Sequence, residues 1–120
     1  MIKSYRELLI WKKGIELVKE IYGLVRRFPK EELYGLGNQL RRSSISIPSN
    51  IAEGQARQSA REFKQFLFIA LGSLAEVDTQ LVIAGELGFV VVHDVQRLEE
   101  EVTELRKMIS GLVRKLTTGH

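Results

Sequence analysis

The chain of 120 residues contains no cysteine, two prolines, one tryptophan and two histidines. The absence of cysteine excludes a disulfide framework and any thiolate zinc or iron–sulfur site. Apolar runs are short. The longest, Phe66–Ala75 with its glycine and serine included, is about half of a membrane span. The opening residues Met1 to Glu7 lack the apolar core and small-residue cleavage site of a signal peptide. The expectation is therefore a cytoplasmic protein with no membrane association. Motifs of several enzyme classes are missing as well. There is no Walker sequence, no G-x-G-x-x-G and no G-x-S-x-G, and Gly35-x-Gly37 follows no strand. His93 and His120 read as a loop residue and a chain-end residue. Neither belongs to a Glu-x-x-His pair, so no metal or cofactor is expected. Ser43, Ser44, Ser46 and Ser49 have no histidine near them. Glu76 and Asp78, two apart on a helix, point to different sides. The expectation is a protein that is not an enzyme.

What the chain does have is helical periodicity. Leu8, Trp11, Ile15, Val18, Tyr22 and Val25 repeat at spacings of 3 and 4. They form one stripe of a first helix, expected over about 5–28, which Leu17, Ile21, Leu24 and Phe28 widen. Pro29 ends it. A second helix over about 31–54 carries Leu33, Leu36, Leu40, Ser44, Ile47 and Ile51 on one face, and Pro48 predicts a kink or a break within it. Asn50 and Glu53, beside that proline, are expected to bond to freed backbone groups or to Arg41 or Arg57. Ser59 and Glu62 have capping-box spacing and open a third helix over about 59–87. Asp94 reads as the N-cap of a fourth, over about 94–117, whose Val95, Leu98, Val102, Leu105, Ile109, Leu112 and Leu116 keep the same rhythm. Phe89–Val92 reads as an apolar linker tucked under the helices. One all-α domain over 1–120 follows, an antiparallel up-down-up-down four-helix bundle.

Phe66–Leu71 are six consecutive apolar residues, which point all around a helix at about 100° per residue. Ile45 and Ile47 on the second helix diverge in the same way. A lone bundle needs one wet side per helix, so Ile45, Phe66, Phe68 and Ile69 are candidate contacts with another copy. The alternative is a wide core stripe with one or two exposed apolar residues.

Charge is uneven along the chain. Residues 1–64 carry 13 Lys and Arg against 7 acids, and residues 65–120 carry 5 against 8. Arg26, Arg27 and Lys30 cluster at the first turn, Arg41 and Arg42 follow, and Arg57, Arg61 and Lys64 surround the start of the third helix. Such clusters suit phosphate contacts. They suit equally well salt bridges to Glu31, Glu32, Glu53 and Glu62. In a bundle they fall into two patches, one at each end.

The run Tyr34-Gly35-Leu36 through Gln39-Leu40-Arg41-Arg42-Ser43-Ser44-Ile45-Ser46-Ile47-Pro48-Ser49-Asn50-Ile51-Ala52-Glu53-Gly54 resembles the 23S rRNA intervening-sequence proteins. So do Leu9–Lys13, Glu62–Leu67 and Gly72–Glu76. The resemblance implies an antiparallel four-helix bundle that assembles into a homopentamer. It also implies kinship in fold with the accessory variability determinant of diversity-generating retroelements, a basic pentameric bundle that binds a reverse transcriptase and nucleic acid. Two functions are consistent with this: an accessory protein that binds RNA or DNA, or a scaffold for another protein such as a reverse transcriptase.

Overall fold

The structure, a computed structural model, describes residues 4–118. Among them are four α-helices and no strand: α1 (Leu9–Val25), α2 (Leu36–Gln55), α3 (Ala60–Glu86) and α4 (Val92–Thr118). Short 3-10 turns at Tyr5–Glu7 and Lys30–Glu32 precede α1 and α2. The bundle measures 48 × 20 × 19 Å. Each helix packs on two others, so α1 lies diagonal to α3 and α2 diagonal to α4.

Helix ends follow local chemistry. The Glu62 N–H donates to Ser59 Oγ at 3.1 Å, so Ser59 caps α3 as expected, while Glu62 Oε1 accepts from the Ser59 hydroxyl at 3.1 Å. Gly88 at φ 76° stops α3 in the left-handed region that suits glycine. Several expected boundaries are corrected: α1 ends at Val25 rather than 28, and α2 starts at Leu36 rather than 31, after the separate 3-10 turn Lys30–Glu32. Residues 5–8 precede α1 rather than opening it, because Leu8 is extended and acts as its N-cap. The fourth helix begins at Val92, which places His93 in its first turn rather than in a loop. Asp94 is then a first-turn residue and not the cap. His120 lies outside the described residues.

The second helix runs unbroken through Pro48, so the break allowed by the sequence is absent. Pro48 is buried against Gly14 of α1, where the missing side chain leaves room. This contact also turns α1. Its inward row is Ile10, Gly14, Leu17, Ile21 and Leu24, whereas Trp11, Ile15 and Val18 are half-buried and Tyr22 is exposed. The expected Leu8, Val25, Leu17, Ile21, Leu24 and Phe28 are buried, so the center of the stripe shifts by about one residue, or ~100°, toward its widening side. Both rows are apolar, and the fit of Gly14 to Pro48 selects between them.

The core continues with Leu40, Ile47 and Ile51 of α2, Leu67, Leu74, Val77 and Leu81 of α3, and Leu98, Leu105 and Ile109 of α4, nearly all fully enclosed. By length and composition α3 is apolar enough to cross a membrane, with mean hydropathy 1.6, yet its inward row is the center of this core. Phe89 packs on Phe28 with ring centroids 5.6 Å apart, while Val91 and Val92 stay exposed, so only half of the Phe89–Val92 linker is tucked in.

Cross-helix contacts have a descending register. Lys13 meets Glu104, Glu20 meets Arg97 and Arg27 meets Asp94 between α1 and α4. Ser46 meets Ser73 between α2 and α3, where Ser73 Oγ donates to Ser46 Oγ at 2.9 Å. Lys64 meets Thr117 between α3 and α4.

Candidate nucleic-acid interface

One end of the bundle is formed by the α2–α3 connection. Gly54 lets α2 approach α3 there: a Cβ on it would lie 2.6 Å from Phe66 Cβ and 3.0 Å from the Phe63 ring. Arg57 pairs with Glu53 at 3.2 Å, one of the partners the sequence proposes, and its guanidinium sits 4.9 Å from the Phe66 ring center. Lys64 donates to Thr117 Oγ1 at 3.3 Å. Arg61 is exposed and has no ion pair among the described residues. The Lys64–Thr117 contact brings in two cations that sequence reading missed, Arg114 and Lys115 of α4, both exposed. Their signal was topological, because a fourth helix running back along the third ends at the third helix's start.

In the other basic cluster two of the five cations, Arg27 and Arg41, are committed within the chain. Arg27 pairs with Asp94 at 2.7 Å. Arg41 donates to the Leu33 carbonyl at 3.0 Å and lies 5.8 Å from the Tyr22 ring center. Arg26 and Lys30 are exposed without an ion pair among the described residues. Arg42 faces outward from α2 and lines a polar cleft of about 380 Å³ with Tyr34, Asn38, Gln39, Glu76 and Gln80. Of the four acids proposed as salt-bridge partners, Glu53 alone forms an ion pair among the described residues. Asn50 donates to the Ser46 carbonyl at 2.8 Å and to Ser46 Oγ at 2.9 Å, which ties the turn around Pro48 together.

A second cleft, about 370 Å³, lies on the α1–α4 seam between Lys13, Glu16, Glu20, Glu101 and Glu104. Arg97 bridges Glu20 and Glu101. Burial, then hydrogen bonding to Glu20 and its charge, pushes the Glu101 carboxyl up to about 7, and Arg97 pulls against this. Burial would raise Glu20 too, but hydrogen bonds from Glu101 and Arg97 outweigh it and hold Glu20 below the ordinary value. No group of three or more His, Cys, Asp or Glu suited to a metal ion occurs among the described residues.

The four candidate contact residues divide. Phe66 is half-buried in the α2–α3 seam and is not on the outer surface. Phe68 is 58% exposed and Ile69 51%, both facing away from the core of α3. Ile45 borders an apolar groove of about 300 Å³ between α1 and α2, with Tyr5, Trp11, Ile15, Val18, Pro48 and Ala52.

Comparison with known proteins places this geometry. Residues 6–111 match the family described as 23S rRNA-intervening sequence protein. A crystal structure from Bacteroides thetaiotaomicron, described as a protein with unknown function from the S23 ribosomal protein family, is similar in fold. It has 22% identity and a TM-score of 0.78 over 88% of this chain and 98% of that one. Comparison with curated proteins finds no match.

Proposed function

Given that the chain belongs to the 23S rRNA-intervening sequence protein family, we propose that it is a non-catalytic, self-associating accessory protein that binds nucleic acid. RNA is the first candidate, held by phosphate contacts without strong sequence preference. The descending register of cross-helix contacts supports an antiparallel up-down-up-down bundle. The outward Phe68 and Ile69 support association of copies, and the family resemblance supports five in a ring.

The observation that carries the reading is the convergence of Arg57, Arg61 and Lys64 with Arg114 and Lys115 at one end. Arg57 is paired with Glu53, which leaves Arg61, Arg114 and Lys115 as the exposed cations of this end without an ion pair among the described residues. A ring repeats such a patch, and weak phosphate contacts then add through counterion release and multivalency. The test is anisotropy of a labelled generic single-stranded RNA, with DNA alongside, across rising salt. Binding that falls steeply with salt is expected, and no binding at low salt overturns the proposal.

A scaffold for another protein, such as a reverse transcriptase, is the second reading. It is favored by Tyr34, 89% exposed, and by exposed Leu87, Val91 and Val92 near the opposite end. One stoichiometric protein recovered from a nuclease-treated pull-down would support it.

A further inference from the structure

The α2–α3 cleft of about 380 Å³ is built from polar side chains that the chain itself leaves unused. Ser73 of α3 meets Ser46 of α2 and sets the register of the two helices. About one turn from that contact, toward the start of α2, come Arg42 and Glu76, and a turn further come Asn38 and Gln80. Positions four apart lie on one side of a helix. Asn38 and Arg42 therefore form one wall of the cleft, and Glu76 and Gln80 form the other.

Arg42 and Glu76 carry opposite charges on these two walls, yet neither has an ion pair among the described residues. The amides of Asn38, Gln39 and Gln80 make no side-chain hydrogen bond there either. Gln80 is the sharpest case. Its Oε1 is cut off from solvent and lacks a hydrogen-bond partner, the one such side-chain atom among the described residues. An orphaned buried acceptor is costly, and a donor that reaches it removes the cost. No internal bond fixes that amide, so a turn about its terminal bond brings the oxygen to the cleft and breaks nothing. Tyr34 at the edge of the cleft is 89% exposed and packs on no other ring among the described residues. Lys30, four residues before it, is exposed without an ion pair among the same residues.

We infer that this cleft receives one unstacked guanine base, its face on the Tyr34 ring and its Watson–Crick edge toward Glu76 and Gln80. The inference rests on the nucleic-acid reading above and adds a base contact to a strand held by its phosphates. Unstacked bases are read in this way, by stacking on an aromatic ring and hydrogen bonds to their edges. Guanine alone offers two adjacent donors, N1–H and the N2 amino group, followed by the acceptor O6. The Glu76 carboxylate and Gln80 Oε1 take the donors, and the Arg42 guanidinium or the Asn38 amide serves O6. Adenine and cytosine present one amino donor beside an acceptor, and uracil one donor between two acceptors. Each leaves Glu76 or Gln80 unanswered. A zwitterion would answer Arg42 and Glu76 but leave the ring and the amides idle. A guanine within a strand and a free guanine nucleotide present the same edge, and the test separates them.

The experiment compares two short RNAs of equal length by anisotropy with the full-length chain: oligouridylate, and the same strand with one central guanine. Wild type is expected to prefer the guanine strand by about tenfold. Tyr34→Ala and Glu76→Gln, both at exposed positions, should remove the preference with unchanged helical circular dichroism. Glu76→Gln is decisive. Loss of an acid strengthens a purely electrostatic RNA contact, so oligouridylate binding should hold or rise while the guanine preference disappears. Arg61→Glu with Arg114→Glu should weaken both strands and leave the preference in place. Saturable binding of guanosine 5′-monophosphate that Tyr34→Ala and Glu76→Gln abolish, with no preference between the strands, would assign the cleft to the free nucleotide. Equal binding of both strands and no binding of the mononucleotide overturns the inference while the phosphate reading stands. Binding of neither strand nor mononucleotide overturns both.

Should either variant unfold, the wild-type chain offers a second route. RNA carrying 6-thioguanosine at the single guanine is cross-linked to it by light, and the adduct is digested with trypsin. Cleavage after Lys30 and Arg41 releases the peptide 31–41, which holds Tyr34, Asn38 and Gln39. Adducts on that peptide are expected, and a cross-linked strand with none there overturns the inference.

Discussion

Pro48 of α2 is seated on Gly14 of α1 so closely that a Cβ on Gly14 would lie 3.3 Å from the proline Cβ. A proline inside a helix costs about 3 kcal/mol in isolation. Here α2 continues through it, and the ring is buried in the α1–α2 seam. Gly14→Val is expected to destabilise the fold by about 1–3 kcal/mol through overpacking. Urea denaturation measures this, and an unchanged midpoint would show that the seam yields easily.

Two other glycines separate close packing from helix propensity. Gly54→Ala puts a methyl group 2.6 Å from Phe66 Cβ, so the α2–α3 seam must open. A loss of about 1–3 kcal/mol is expected. At Gly23 of α1 a Cβ meets nothing within 4 Å. Gly23→Ala should stabilise by about 0.5–1 kcal/mol, because alanine restricts the unfolded chain. Thermal melts of the two variants should move in opposite directions.

Ser59→Ala removes the acceptor for the Glu62 N–H and the donor to Glu62 Oε1. The expected cost is about 1 kcal/mol. Ser59→Asp keeps an acceptor at the cap and should recover most of the loss in the same melting experiment.

The α1–α4 seam should respond to pH. Glu101 has its folded pKa raised from the ordinary 4.5 to about 7, so the native state binds the extra proton. Its contribution is full below 4.5 and is lost as pH rises through about 7. Glu20 acts oppositely: its pKa is lowered, and its contribution is lost only as pH falls below the ordinary value. Lys13, Glu16, Arg97 and Glu104 face the same seam and set the surrounding field. Glu101→Gln mimics the protonated form and should flatten the decline between pH 4.5 and about 7 in denaturation curves. An equally steep decline in that variant would mean the proton is not held there.

Nucleic-acid affinity should depend on which cations are already committed. Arg61→Glu with Arg114→Glu should weaken RNA binding and flatten its logarithmic salt slope by about 1 for each phosphate that is no longer neutralised. Arg27→Glu should change binding far less, because Asp94 holds that guanidinium at 2.7 Å. Equal effects from both sets would show that the α2–α3 end has no special part in binding.

Much of this architecture is written in local patterns. The spacing of Val95, Leu98, Val102, Leu105 and Ile109 is visible in the chain, and all five are buried. The Ser59–Glu62 cap and the pairing of Glu53 with Arg57 are short-range relations that need no partner helix. Arg27 and Asp94, 67 residues apart, carry no such signal, nor do Glu20 and Arg97, 77 apart. The arrival of the C-terminal turns of α4 at the start of α3, through Lys64 and Thr117, belongs to the same class.

Four helices, most of the core of α2, α3 and α4, and the excess of apolar residues around Phe66–Leu71 follow from the order of amino acids alone, because helix periodicity and capping act within a few residues. Packing in three dimensions settled the rest: which apolar row of α1 turns inward, that Pro48 leaves α2 unbroken, that Phe66 is taken by the α2–α3 seam, and which arginines keep an uncommitted charge. Those outcomes depend on the shape and charge of a neighboring helix, through contacts such as Gly14 with Pro48 and Arg27 with Asp94 that exist only once distant segments meet.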